Sequence, residues 1–148
     1  MRPRILLIDD HLLIRILLDD EPSTLQRTGA AVYTTGLWYH RLCRALTNPA
    51  VSGVMSGSLG SANPTLGARA IAAITELPDS IGLISLRDLS WTMAEVLADG
   101  IRLNLMSLEA LAAAEHLDAE VCLAAADENP TLLAAAKQRR LRIRLIEG

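Results

Sequence analysis

The chain has 148 residues, 51% of them hydrophobic, with a mean hydropathy of +0.28; that length fits one domain, and that apolar share is enough for a sizeable core. Fourteen Lys and Arg against seventeen Asp and Glu leave a net charge of −3 and a pI near 5.6, which excludes nucleic-acid binding through the whole surface and leaves only a local basic patch. No apolar stretch approaches the roughly 20 residues that span a bilayer, and Met1-Arg2-Pro3-Arg4 leads into a run too short for a signal peptide, so a soluble, cytoplasmic protein is expected.

Arg4 to Asp9 is a short continuous apolar run, the pattern of a strand buried on both faces. His11 to Leu18 reads as a short helix with Leu12, Leu13, Ile16 and Leu17 on its apolar face, stopped by the solvated breaker Asp19-Asp20-Glu21-Pro22. Ala30 to Thr35 reads as a second strand. The helix expected over Leu37 to Leu46 turns Trp38, Tyr39, Leu42, Cys43 and Leu46 inward. Asn48 to Asn63 is rich in Gly and Ser and, at about 16 residues, longer than most loops in compact domains, so it is expected to be a flap or partly helical.

Asn63-Pro64 and Asn129-Pro130 each place an N-cap residue before a proline at the first helical position, predicting helices that run to about Leu77 and Arg139. Ile81 to Leu86 is a third strand. Helices follow over Asp88 to Ala98, ended by Gly100, and over Ser107 to Leu117, with Ser107 as N-cap and Glu109 in the first turn. Glu120 to Ala125 and Leu141 to Ile146 complete the strands. Strands alternating with helices along the whole chain predict an α/β fold, three layers α/β/α around a mostly parallel sheet of about five strands. Cys43 and Cys122, far apart in apolar segments, are expected as reduced core thiols.

Two aspartates stand just past apolar runs: Asp9 after Ile5-Leu6-Leu7-Ile8, and Asp127 after Val121 to Ala126. If both runs are parallel strands of one sheet, both carboxylates gather at its C-terminal edge, where open α/β sheets hold ligands. Two acids there suggest a divalent-cation site.

The opening Ile5-Leu-Leu-Ile-Asp9-Asp10-His11 resembles the start of a response-regulator receiver domain. That resemblance implies a phosphorylatable aspartate after a third strand and a lysine closing a late one. No aspartate occurs between Asp20 and Asp79, and the only lysine, Lys137, sits inside a predicted helix, so the receiver reading is set aside.

The stretch from Ser107-Leu-Glu-Ala-Leu through Glu120-Val-Cys-Leu-Ala-Ala-Ala-Asp127 to Leu141-Arg-Ile-Arg-Leu-Ile146 resembles the end of a PIN domain. With Ile5 to Asp9 matching that family's first strand and acid, the resemblance extends over residues 1–148 as a single PIN-like domain. It implies a metal-dependent endoribonuclease, in some members the toxin of a type II toxin-antitoxin pair, with about four acids around one or two Mg²⁺ or Mn²⁺. Asp9 matches the first acid and Asp127 the last, whereas the second falls near His40 and the third on Ser107.

Two carboxylates can hold at most one ion, because two divalent ions about 4 Å apart need more negative charge than they supply. Glu109 cannot replace an acid at Ser107, since two positions along a helix rotate the side chain by about 200°. Asp10 and Glu128 reach such a site only if the chain turns where the strands end. The expectation is therefore an eroded PIN-like metal site with weak or absent ribonuclease activity, its ligand RNA or a partner protein. Arg41 and Arg44 are the candidate RNA contacts. The alternative is a non-catalytic interaction module, either a homodimer or the partner of a small neighbouring protein.

His40 and Cys43 have metal-ligand spacing but no second pair, so core packing accounts for them better than zinc does. His11 and His116 are isolated, and Ser56-Gly-Ser-Leu-Gly-Ser61 lacks the lysine of a phosphate-cradling loop. Arg142 and Arg144 are expected as an exposed row that blunts an edge strand.

Overall fold

The computed structural model describes residues 3–47, 64–127 and 129–148. Strands and helices alternate along them: β1 (Arg4–Ile8), α1 (Asp10–Leu17), β2 (Ala30–Thr35), α2 (Gly36–Thr47), α3 (Pro64–Thr75), β3 (Ile81–Ile84), α4 (Leu86–Ala98), α5 (Leu105–Leu117), β4 (Glu120–Ala124), α6 (Pro130–Gln138) and β5 (Ile143–Ile146). Short 3-10 turns occupy Ser23–Leu25 and Ala125–Asp127. The Gly/Ser-rich stretch 48–63, with the expected cap Asn63, lies outside the described residues.

All five strands are parallel, in the order β3-β2-β1-β4-β5. The chain steps outward from β1 to β2 and β3, then crosses back to lay β4 on the other side of β1. Parallel crossovers are right-handed, so this reversal puts the helices before and after it on opposite faces. Leu6, Ile8, Val32, Ile81 and Cys122 accordingly pack with Leu12, Leu13, Leu42 and Ile74 of α1, α2 and α3. Leu7, Ile84, Val121 and Leu123 pack with Leu89, Val96, Leu111 and Ala135 of α4, α5 and α6. The expected α/β/α sandwich is present, and its sheet is wholly parallel.

Several element ends differ from the sequence reading. β3 stops at Ile84, because Ser85 and Asp88 form a capping box that starts α4 at Leu86. Helix α5 starts at Leu105, two residues before Ser107: the Asn104 side chain accepts from the Ser107 amide at 2.8 Å and is the N-cap. Glu109 therefore sits in the second turn and is fully buried. Asn129 caps α6 as expected, accepting from Leu132 N at 3.1 Å.

β5 is an edge strand, but Arg144 is not in an exposed row. Its guanidinium donates to the Thr24 and Leu25 carbonyls at 2.7 and 2.8 Å and to Glu120 at 3.1 Å. The exposed residue is Leu145. Three nearby acceptors hold the arginine more firmly than water does. Cys122 is buried and Cys43 half-buried, both free, and burial pushes the Cys122 thiol up to about 11, leaving it inert as a nucleophile.

Close approach between β2 and β3 depends on one glycine. Gly82 is paired with Tyr33, and a Cβ at Gly82 would lie 2.4 Å from the Tyr33 ring. Gly82→Ala is expected to cost about 1–3 kcal/mol through overpacking, measured by urea unfolding, and Tyr33→Val in the same chain to recover most of the loss.

Candidate site at the carboxyl edge of the sheet

The point where the strand order reverses, between β1 and β4, is where an open α/β sheet parts to receive a ligand. Asp9 stands at that point, directly after β1. Its φ of −78° and ψ of 179° are extended, and Oδ1 accepts from Leu12 N at 2.9 Å, which makes Asp9 the N-cap of α1. Oδ2 accepts from Ala124 N, the last residue of β4, at 3.0 Å. One carboxylate thus joins the end of β1, the start of α1 and the end of β4.

Asp9 has no solvent exposure. Burial, the largest influence, pushes its carboxyl up to about 6; the Leu12 and Ala124 amides pull it down, and neighbouring Asp10 pushes it up again. Ionised Asp9 is held by its two amides.

Asp10, the first residue of α1, is 2% exposed. Arg41 of α2 grips it bidentately, Nε to Oδ2 and Nη2 to Oδ1, both at 2.6 Å. Such a fork-to-fork pair neutralises a carboxylate that would be costly to bury alone.

Ser107, in the first turn of α5, is buried, and its hydroxyl accepts from Asn129 Nδ2 at 2.9 Å. Glu109, two residues further, reaches the start of α2, where Oε1 accepts from Leu37 N at 2.8 Å. Its Oε2 is buried with no hydrogen-bond partner among the described residues. A Cβ at Gly36 would lie 3.8 Å from that oxygen and 3.1 Å from Ser85 Cβ, so glycine there admits the close approach. Sequence reading missed this role for Glu109. The signal was present, because a lone acid inside Leu108 to Ala114, every residue of which is buried, must find a partner.

A hollow of about 200 Å³ opens beside these groups, lined by Trp38, Arg41, Asn104, Met106, Ser107, Leu123 and Asn129. Its polar lining is a guanidinium, a hydroxyl and two amides, with no carboxylate. On the α1 side of the same edge, a larger hollow of about 620 Å³ is lined by His11, Leu12, Arg15 and Ala124 to Ala126, with Asp20 and Glu147 among the rest. Arg15 there is turned back onto the Asp20 carbonyl at 2.9 Å.

The expected acid positions thus fare differently. Asp9 and the backbone of Asp127 share the edge, since the 3-10 turn ending at Asp127 continues directly from Ala124; the side chain of Asp127 lies outside the described residues, as does Glu128. His40 is exposed on α2 and does not line the smaller hollow. Arg41 lines it, whereas Arg44 is exposed in the last turn of α2.

A divalent ion fits this set poorly. Both Asp9 oxygens already accept amides, Asp10 is spent on Arg41, and one oxygen of Glu109 accepts the Leu37 amide. Among the described residues no group of three or more His, Cys, Asp or Glu could hold a metal ion. Nor is any described helix long and apolar enough to cross a membrane. No protein-family model matches the chain, and no curated protein matches it.

Asp9 makes stability depend on pH with a stated sign. Its folded carboxyl ionises near 6, above the unfolded value near 4, so the native state binds more protons between them and stability falls as pH rises through that window. The fall is on the order of 2–3 kcal/mol, flat above pH about 6. Denaturant unfolding from pH 4 to 7 should show this slope in the wild type. Asp9→Ala should lack it and be less stable by about 2 kcal/mol or more at pH 4, because it strands two buried amides.

Proposed function

We propose that this chain is a PIN-like protein with an eroded acidic site, which holds a polar group of RNA at the carboxyl edge of its sheet and cleaves it weakly or not at all. The reading is supported by the order of strands and helices, and by Asp9 standing where the PIN resemblance expects the first acid. It is carried by one observation: the groups at the expected acid positions that the structure describes are spent or absent. Asp9 bonds two backbone amides, His40 points to solvent, and Ser107 pairs with Asn129.

The donor-lined hollow suits phosphate or base oxygens better than a cation. Guanidinium, hydroxyl and amide groups donate to such oxygens, whereas magnesium requires oxygen ligands and keeps several waters. Asp10 sets the angle of the Arg41 guanidinium at the rim.

A second reading, the non-catalytic protein-interaction module, is favoured by a different observation. Three of the five basic residues near the C-terminus face acids of this chain: Arg139 pairs with Glu115 and Asp99, Arg142 with Asp118, and Arg144 with Glu120. With these three committed internally, only Lys137 and Arg140 are left exposed without an acid partner among the described residues, too few for an RNA-binding stripe.

Calorimetry with Mn²⁺ is expected to give no binding heat, and a ribonuclease assay no metal-dependent cleavage. Fluorescence anisotropy with short single-stranded RNA should show salt-sensitive binding, weakened about tenfold or more by Ser107→Asp, which puts a negative charge into the hollow. Manganese binding and cleavage that both vanish in Asp9→Asn would overturn the eroded-site reading. Failure of the wild type to bind RNA would leave the protein-interaction reading alone.

A further inference from the structure

Helix α4 is amphipathic in an unusual way. Leu89, Met93 and Val96 are buried against the core. On the opposite side Arg87, Trp91 and Glu95 follow one another at i, i+4 and i+8, all exposed, with Ala94 and Ala98 beside them. Trp91 is 78% exposed, the highest value among the large hydrophobic side chains described as exposed. One exposed leucine needs no explanation, but a tryptophan ring presented at the middle of a capped, well-packed helix is the kind of residue that anchors interfaces.

The charges flanking it indicate what docks there. When two copies of one helix cross antiparallel about a two-fold axis at residue 91, position 91+k of one faces position 91−k of the other. Glu95 then faces Arg87 of the second copy, and Arg87 faces its Glu95. The stripe is complementary to itself, cation to anion on both sides of a central aromatic pair. Most arginines in the described residues are already paired with an acid of the same chain, including Arg4, Arg15, Arg27, Arg41, Arg139 and Arg144. Arg87 and Glu95 have no such pairing among the described residues. The small side chains of Ala94 and Ala98 let a second helix approach closely.

We infer that the outer face of α4 is a self-association surface: a second copy of this chain docks on it antiparallel, with the two Trp91 rings on the two-fold axis and crossed Arg87–Glu95 ion pairs on either side. Burying the paired rings supplies the attraction, while the charge pairs fix the antiparallel register and reject the parallel one, which would set Arg87 against Arg87. The inference stands apart from the RNA reading, since α4 contributes no residue to the donor-lined hollow.

Sedimentation velocity over a wide concentration range tests it, with circular dichroism confirming that each variant is folded. The wild type should move from monomer to dimer as concentration rises, with Trp91 emission shifting blue while Trp38, buried in either state, does not change. Trp91→Ala and Arg87→Glu should each raise the dissociation constant about tenfold or more. The double exchange Arg87→Glu with Glu95→Arg should restore association. A wild type that stays monomeric throughout overturns the inference, as does a Trp91→Ala variant that dimerises normally or a double exchange that fails to recover.

Discussion

A single carboxylate holds the centre of this molecule. Asp9 accepts one amide from the first turn of α1 and another from the end of β4, at the place where the sheet reverses its strand order. β1 and β4 are neighbours whose following segments leave in different directions, so amides there lose their ladder partners and need another acceptor. An ionised carboxylate supplies two acceptors at once, at the cost of burying its charge. That cost appears as a carboxyl that ionises near 6. Structural use and ligand binding compete for the same oxygens, and in this chain the structural use has both.

The same pattern extends around the carboxyl edge. Asp10 is closed by Arg41, Ser107 by Asn129, and one oxygen of Glu109 by the Leu37 amide. A metal centre requires lone pairs aimed at a common empty point. These side chains are aimed at one another, linking α1 to α2, α5 to α6, and α5 to α2. Polar residues have thus become joints between helices, two of them within a single layer and one, Glu109, across from one layer of the sandwich to the other.

Much of this was legible in the sequence because it depends on short-range chemistry. Apolar runs marked the strands from β1 to β4 and apolar–arginine alternation marked β5, and Asn129-Pro130 marked the start of α6 through the capping preference of asparagine and the fixed φ of proline. The placement of Asp9 followed from the end of β1. What could not be read are partners chosen through space. Asn104 and Ser107 are both good caps, and only the actual start of α5 decides between them. Arg144 read as a solvated edge residue because its acceptors, Thr24 and Leu25, lie about 120 residues away. Arg41 read as a helix-surface candidate for RNA contact, since nothing local announces that Asp10 lies within reach one helix earlier.

The contact between Arg144 and the Ser23–Leu25 turn also closes the chain on itself. The Thr24 hydroxyl donates to the Glu147 carbonyl at 2.8 Å, so two bonds from β5 and one to its far end stitch the last strand to a turn made at the start. Closing a loop of this length costs entropy that grows only logarithmically with length, so three hydrogen bonds at the seam offset part of it. β1 lies at the middle of the sheet under both layers, whereas β5 is fastened at the rim by an arginine and a threonine. Transient opening of the native protein would therefore begin by unpicking β5, with the centre of the sheet still intact.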